Sequence, residues 1–270
     1  MQINSTLRRV LITFFLLLTI VISSFAQNQV DSKGQKQGAW IGRFPDGKTR
    51  YEGVFKNNRP DGLMKRYYAN GNIKAEMFFY EDGQRTRARL FDENGKLIAR
   101  GNYFKMEKDS VWNYFQDGCL IKTEVFKTGK KDGVSHAFDA NGKMIVEAEW
   151  KNGKMNGAYK RYFPNGKLMV GTKYFEGKRN GLCVAYFESG EVEVEGLYVT
   201  DLREGDWKYY SRDGKIKYTL KYKNGDLLNS DVLDHVNQQI FDELEKNKLK
   251  LKDPEFYRNN PDELISPAGN

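Results

Sequence analysis

"NGAYKRYFPNGKLMVGTKYFEGKRNG", residues 156–181, closes on the same Asn-Gly with which it opens. It is one cycle of a pattern that runs along most of the chain. Asn/Asp/Ser-Gly pairs that follow an aromatic cluster stand at Asp46-Gly47, Asn70-Gly71, Asn94-Gly95, Asp117-Gly118, Asn141-Gly142, Asn165-Gly166, Ser189-Gly190 and Asp213-Gly214. Their glycines lie 24, 24, 23, 24, 24, 24 and 24 residues apart, and a fixed period of this size marks a repeat array.

Each cycle reads as a β-hairpin. Asn-Gly and Asp-Gly supply the positive φ angles of a tight type I′ turn, and the flanks alternate with period two. Leu168, Val170 and Tyr174 would share one face, with Met169, Gly171 and Lys173 on the other. The same columns recur in every repeat. One is aromatic throughout: Phe55, Phe79, Tyr103, Phe126, Trp150, Tyr174, Tyr198, Tyr222. A second, four residues before the turn glycine, reads Arg43, Tyr67, Phe91, Tyr114, Phe138, Tyr162, Tyr186, Tyr210. A third, two residues after it, reads Thr49, Ile73, Leu97, Leu120, Met144, Leu168, Val192, Ile216. Each hairpin would bury its apolar face against the next, so that no unit is stable alone.

A lead glycine (Gly38, Gly62, Gly133, Gly157, Gly181, Gly205) is expected to hold a bulge or a positive-φ connection between rungs. Thr86 and Ser110 replace it in the third and fourth repeats, the third lacks an obvious second turn at "KMEKDS" (residues 105–110), and the fourth is one residue short. An irregularity is therefore expected between residues 85 and 118. The fold class predicted is all-β: an elongated single-layer array of about eight hairpin repeats over residues 38–229. Two strands per repeat at ~4.8 Å spacing would make a ribbon roughly 75 Å long, twisted because a long flat sheet is unfavourable.

The ends differ in kind. Residues 1–26 carry a positive n-region (Arg8, Arg9), an apolar run from Val10 to Ile22 and the small-x-small site Ser24-Phe25-Ala26, which reads as a cleaved export signal. The apolar run is shorter than the ~20 residues that span a bilayer, and no Cys follows it to carry a lipoprotein anchor. A secreted or periplasmic, envelope-associated chain that is not transmembrane after cleavage is expected. Residues 27–37 read as a linker. In residues 230–270, Ser230 precedes Val232, Val236, Ile240 and Leu244 at four-residue steps, with Leu233 and Phe241 beside them. This predicts a helix ending near residues 247–256, either capping the last rung or docking a partner, and then an irregular tail.

The cycle from Gly157 to Gly181 follows G-x-x-x-x-Y/F-x-x-N/D-G-K and then Y/F-x-x-G-K-x-x-G. In this it resembles MORN repeats, in the bacterial variant of that family, and the resemblance extends from Gly38 to about residue 228. It implies a hairpin-repeat fold and a role at membranes, in scaffolding or in protein interaction, with no chemistry common to all members. Many bacterial relatives carry an antitoxin label, which fits poorly with an export signal.

The sequence offers no catalytic constellation. Of 270 residues only two are His; His136 shares a column with Lys65, Lys160 and Lys208, His235 lies in the tail, and neither has a Cys or His at metal-ligand spacing. No G-x-S-x-G, phosphate-cradling loop or Cys-x-x-Cys occurs. Glu52, Glu76, Glu147 and Glu195 form one column and read as a charged outer face with cross-strand partners. Cys119 and Cys183 lie three rungs apart, too far for a disulfide, so two free thiols are expected, one packed and one exposed at a tip. No enzyme activity, cofactor or metal is predicted.

The formal charge is +8, and its distribution is periodic. Lys48, Lys96, Lys143, Lys167 and Lys215 follow the turn glycine and would line one edge; Lys130, Lys131, Lys154, Lys178 and Arg179 would line the other. These edges read either as rails for an anionic lipid or glycan or as solvated tips that discourage edge-to-edge aggregation. Export argues against nucleic acid, and an unidentified protein is the partner most expected.

Overall fold

The computed structural model describes residues 27–248; the predicted export signal and the tail beyond the helix lie outside them. The chain falls into two compact units that divide between Gly166 and Lys167. The first contains β1 (Gln29–Val30), β2 (Lys36–Arg43), β3 (Thr49–Lys56), β4 (Arg59–Tyr67), β5 (Ile73–Tyr80), β6 (Arg85–Phe91), β7 (Leu97–Phe104), β8 (Glu107–Gln116), β9 (Cys119–Lys127), β10 (Lys130–Lys131), β11 (Gly133–Phe138), β12 (Met144–Lys151) and β13 (Lys154–Tyr162). The second contains β14 (Leu168–Phe175), β15 (Lys178–Arg179), β16 (Gly181–Tyr186), β17 (Val192–Val199), β18 (Leu202–Tyr210), β19 (Ile216–Lys223), β20 (Asp226–Leu227) and α1 (Ser230–Lys248). Each unit is an antiparallel meander in which every strand lies beside its chain neighbour. The short pieces β10 and β15 are the leading parts of the rungs completed by β11 and β16.

The turns are distributed otherwise than their residue types predict. In seven repeats the Asn/Asp/Ser-Gly pair does not form a type I′ turn: only its glycine has positive φ, as at Gly47 (86°), Gly71 (93°) and Gly166 (86°). The Gly47 amide donates to the Phe44 carbonyl at 2.9 Å and the Phe44 amide to the Lys48 carbonyl at 2.8 Å. This is a three-residue loop, a type I turn closed by a left-handed glycine. The fourth repeat is the exception. Asp117 (49°) and Gly118 (84°) both have positive φ, and Gln116 pairs with Cys119. Its missing residue has shortened the loop to a two-residue type I′ turn.

That deletion also corrects one column. Counting back from the turn glycine places Tyr114 with Tyr67 and Phe91. The residue that pairs with Leu120, as Tyr67 pairs with Ile73 and Phe91 with Leu97, is instead Phe115. Tyr114 packs against the core.

Type I′ turns occupy the opposite tips, with both central residues at positive φ: Asn57-Asn58, Thr128-Gly129, Asn152-Gly153, Glu176-Gly177, Thr200-Asp201 and Asn224-Gly225. The third repeat turns in the same way at Lys105 (49°) and Met106 (66°), with no glycine to signal it.

The lead glycines do hold positive φ, for example Gly38 (68°), Gly62 (69°) and Gly205 (70°). At Gly62 the ladder slips: Val54 pairs with Asp61 but Glu52 pairs with Lys65, which leaves a bulge. Ser110 (58°) keeps this geometry and its bulge. Thr86 does not, because a β-branched side chain is excluded from left-handed backbone. The β5–β6 ladder runs unbroken, and the displaced residues enlarge the loop at residues 81–84. The expected irregularity thus resolves into this loop, the Lys105-Met106 turn and the Asp117-Gly118 turn.

The core is one face of each meander. In the first unit Ala75, Met77, Phe79, Ala88, Ala99, Trp112 and Phe126 are buried together; in the second, Tyr198, Trp207 and Leu220 are. Close approach depends on glycine. A Cβ on Gly101 would lie 2.4 Å from the Trp112 ring, and one on Gly196 would lie 2.2 Å from Trp207. The indole N–H groups donate to the carbonyls one residue further on, Asn102 at 2.9 Å and Leu197 at 3.2 Å.

Both strand edges are covered. Residues 27–37, read as a linker, belong to the fold: β1 pairs with β2, and the Asn28 amide side chain both donates to and accepts from the Ile41 backbone at 3.1 and 2.8 Å. On β19, Asn229 makes the same two-way contact, donating to the Thr219 carbonyl at 2.9 Å and accepting from the Lys221 amide at 2.7 Å. Paired edges remove a template for aggregation. Helix α1 packs Val232 and Leu233 against the last rung; Ile240, Phe241 and Leu244 remain 51%, 58% and 63% exposed.

Candidate interaction surface

The lysines that follow the turn glycines are ties between successive turns. Lys48 Nζ donates to the Ala69 carbonyl at 3.0 Å, Lys96 to Asp117 at 2.5 Å, Lys143 to the Pro164 carbonyl at 2.8 Å, and Lys167 to the Ser189 carbonyl. Asn72 occupies the same column and likewise lends a donor to the next turn, reaching the Glu93 carbonyl at 2.7 Å, while Cys119 and Glu191 hold the column in two other repeats. Lys215, with no further turn to reach, pairs with Asp213 at 3.0 Å and is 83% exposed.

The second edge divides in two, because neighbouring residues on a strand face opposite ways. Lys130, Lys154 and Lys178 are exposed. Lys131 and Arg179 turn inward over aromatic rings, Lys131 at 4.3 Å from the Trp150 centroid and Arg179 at 4.0 Å from that of Tyr198. Lys131 also bonds Glu124 at 2.6 Å, and Arg179 bonds Asp201 at 2.9 Å. The Asp201 bonds raise the Arg179 pKa and lower that of Asp201 in return.

Sequence reading missed the column to which these two belong. Two residues before the lead position stand Lys36, Lys108, Lys131, Arg179 and Arg203, each over the aromatic core of its own repeat. Lys36 lies 4.5 Å from Trp40 and 5.1 Å from Phe55, and Lys108 lies 4.5 Å from Trp112 and 5.0 Å from Phe126. Such contacts let a half-buried cation cap an aromatic stack. The signal was present as a basic residue at a constant offset from the lead glycine; it was obscured because Pro60, Gln84 and Met155 interrupt it.

Glu124 is a charge within the core column that elsewhere holds Met77, Gly101, Ala148 and Leu220. It is 4% exposed and bonded to Lys131 and to Lys122 at 3.1 Å. Burial opposes its ionisation, but the two lysine bonds prevail and keep its pKa below the usual carboxylate value. Burial lowers the pKa of Lys108 and raises that of Tyr114 beside it.

On the other face the acidic column is paired throughout. Glu52 accepts from the Tyr67 hydroxyl at 2.6 Å, Glu76 from Arg89 at 2.9 Å, Glu147 from Lys160 at 2.8 Å, and Glu195 from Lys208 at 3.2 Å and Tyr210 at 2.7 Å. Burial, then the Glu52 bond, pushes the Tyr67 hydroxyl up to about 12. His136 lies 3.9 Å from Glu147 and 3.2 Å from the Thr123 hydroxyl. His235 lies 3.1 Å from Gln239 on α1. Cys119 is exposed at its tip and Cys183 is half-buried, both as free thiols. Among the described residues no group of three or more His, Cys, Asp or Glu is placed to hold a metal ion, and no helix is long and apolar enough to cross a membrane.

Comparison with known proteins follows the same repeat. The family described as MORN repeat variant matches residues 60–82, 87–105, 131–152, 155–170 and 203–224, and the MORN repeat matches residues 173–192. No curated protein matches the chain. Among solved structures the chain is similar to the glycosyltransferase TarM and to a point mutant of S. aureus TarM with Fondaparinux, alpha-GlcNAc-glycerol and UDP. Each similarity has 10% identity and a TM-score of 0.18, covering 53% of this chain and 19% of the other, too slight to carry an argument. MORN repeats are in general interaction modules for proteins and membrane lipids, and the family is not catalytic in general. The hairpin period of the sequence, the bulged lead glycines of the fold and these six matched segments together make the chain a member of the MORN repeat family.

Proposed function

We propose that the protein is an exported, non-enzymatic scaffold whose repeat array presents a surface to protein partners in the cell envelope. The observation that supports this is how the array uses its side chains. Its charges are largely spent on one another, as turn ties, cross-strand pairs and ring caps, while apolar side chains stand in water. Val54, Leu63 and Phe78 are 46%, 48% and 49% exposed in the first unit, with Leu63 opposite Phe78; in the second, Leu182 and Leu197 are paired and 57% and 41% exposed. Apolar patches with satisfied charges around them suit protein contacts better than purely electrostatic ones.

The alternative is a module for anionic lipid or glycan along the lysine edges, favoured by the exposure that Lys48 (57%), Lys96 (59%) and Lys215 (83%) keep. Affinity capture from envelope extract with residues 27–270, eluted through rising salt and read by mass spectrometry, separates the two. Electrostatic binding fades as salt screens it and apolar contact persists. A protein retained at high salt supports the scaffold; lipid or glycan released alone at modest salt overturns it. Export is tested separately by the N-terminus of the mature chain, expected at Gln27 if the site after Ala26 is cleaved.

A further inference from the structure

The column of capping cations has a gap with a shape. In the second and third repeats the capping positions hold Pro60 and Gln84, and neither places a cation over the core as Lys36 and Lys108 do. Met64, Met77 and the Phe79 ring line the floor of an open bowl of about 460 Å³, Met77 and Phe79 with only 8% and 4% of their surface exposed. The enlarged loop forced by Thr86 forms one wall, and Met106, 60% exposed on its strained turn, forms part of another. The missing caps, the enlarged loop and the Lys105-Met106 turn meet here.

The rim is basic. Arg59, Arg66 and Lys105 line the bowl and are exposed, and among the described residues no ion pair joins any of them to a carboxylate. Asp82 is the one acid on the rim. Lys105 also lies 5.3 Å from the centroid of the Phe104 ring.

We propose that this bowl is a docking site for a partner protein's acidic segment, whose single large apolar side chain seats on Met64, Met77 and Phe79. The inference rests on the reading of the chain as a protein-interaction scaffold. An apolar floor of thioethers adapts to an anchor side chain of varied shape, and a hot-spot anchor ringed by charge pairs is how small interfaces gain affinity. The bowl is open, so an acyl chain would leave much of its length in water, whereas one side chain needs no more enclosure than this. Asp82 offers an acceptor to a peptide N–H, for which a fatty acid has no counterpart.

The test is fluorescence anisotropy with the full chain and a labelled pentapeptide, Asp-Glu-Phe-Glu-Asp, beside its Ala-centred analogue. The Phe peptide is expected to bind at least tenfold more tightly. Pro60→Lys, which installs the cap present in five other repeats, is expected to weaken it at least tenfold although it adds a positive charge. Met106→Glu, at the exposed lip, is expected to do the same and leaves the core untouched should Pro60→Lys fold poorly. Equal binding of the two peptides, binding indifferent to both substitutions, or displacement of the Phe peptide by laurate at lower concentration than by unlabelled peptide would overturn the proposal. The capture experiment keeps the two ideas apart. If wild type and Pro60→Lys retain the same proteins at high salt, the bowl is wrong and the scaffold stands; loss of a retained protein in Pro60→Lys supports the bowl.

Discussion

Trp112 occupies the space that a side chain on Gly101 would need: a Cβ there would sit 2.4 to 2.6 Å from three indole carbons. The indole is wholly buried and held by its N–H bond to Asn102, so it has nowhere to retreat. Gly101→Ala is expected to destabilise by about 3 kcal/mol, the upper range for overpacking. Gly171, where the nearest side-chain atom is Leu168 Cδ2 at 3.7 Å, serves as the control. Its Ala variant should stay within about 0.5 kcal/mol of the parent. Urea unfolding of both variants checks the contrast.

The Lys105-Met106 turn places two non-glycine residues in left-handed backbone, which costs roughly 1–2 kcal/mol per residue. Met106 is largely exposed and contributes little packing. Met106→Gly is therefore expected to stabilise the protein by about 1 kcal/mol after the greater flexibility of glycine in the unfolded chain is counted. A lower thermal midpoint for this variant would show that the turn is not the strained element.

Glu124 ionises in a buried site only because Lys131 and Lys122 are bonded to it. Its folded-state pKa is lowered, so its contribution is present above the unfolded carboxylate value and is lost as pH falls through the folded one. Glu124→Gln should cost about 3 kcal/mol at neutral pH, as for a broken buried pair. The loss should shrink toward acid, where the parent carboxyl is protonated too. Guanidinium unfolding at pH 7 and pH 3 tests both the size and the sign.

Two lysines that look alike in the sequence should behave differently. Lys131→Ala leaves Glu124 short of a partner and uncovers the Trp150 ring, with an expected loss of about 2 kcal/mol. Lys143→Ala removes one exposed tie to Pro164 and should cost less than about 0.5 kcal/mol. Comparable losses in chemical denaturation would mean that ring caps and turn ties contribute alike.

The thiols should also separate. Cys119 is exposed, whereas burial raises the Cys183 pKa. A disulfide reagent at pH 8 is expected to modify one thiol rapidly and the other only as the protein opens, since the thiolate is the reacting form. Two fast equivalents would contradict the packing at Cys183.

The repeat period, the all-β class, the aromatic column from Phe55 to Tyr222, the lead-glycine bulges and the terminal helix were all legible in the amino-acid sequence. Each is enforced locally: a glycine at a fixed interval permits positive φ, alternation sorts the faces, and a four-residue step marks a helix. That the column of Glu147 and Glu195 finds cross-strand partners was legible too; that these are Lys160 and Lys208 depends on the bulge that shifts both ladders.

What the tertiary structure decided are matters in which distant residues compete for the same space or partner. The Asn-Gly pairs make three-residue loops because register across β2–β3 and its counterparts requires the extra residue, which the dipeptide alone does not reveal. Lys143 and Lys131 are both basic residues near tips, but only the fold sends one to the next turn's carbonyl and the other onto Trp150. Likewise Gly101 is small because Trp112 lies across from it, and the bowl over Met77 has no capping cation because Pro60 stands where five other repeats have Lys or Arg. Local conformational preference wrote the period of this chain; side-chain contact between rungs determined what each column does.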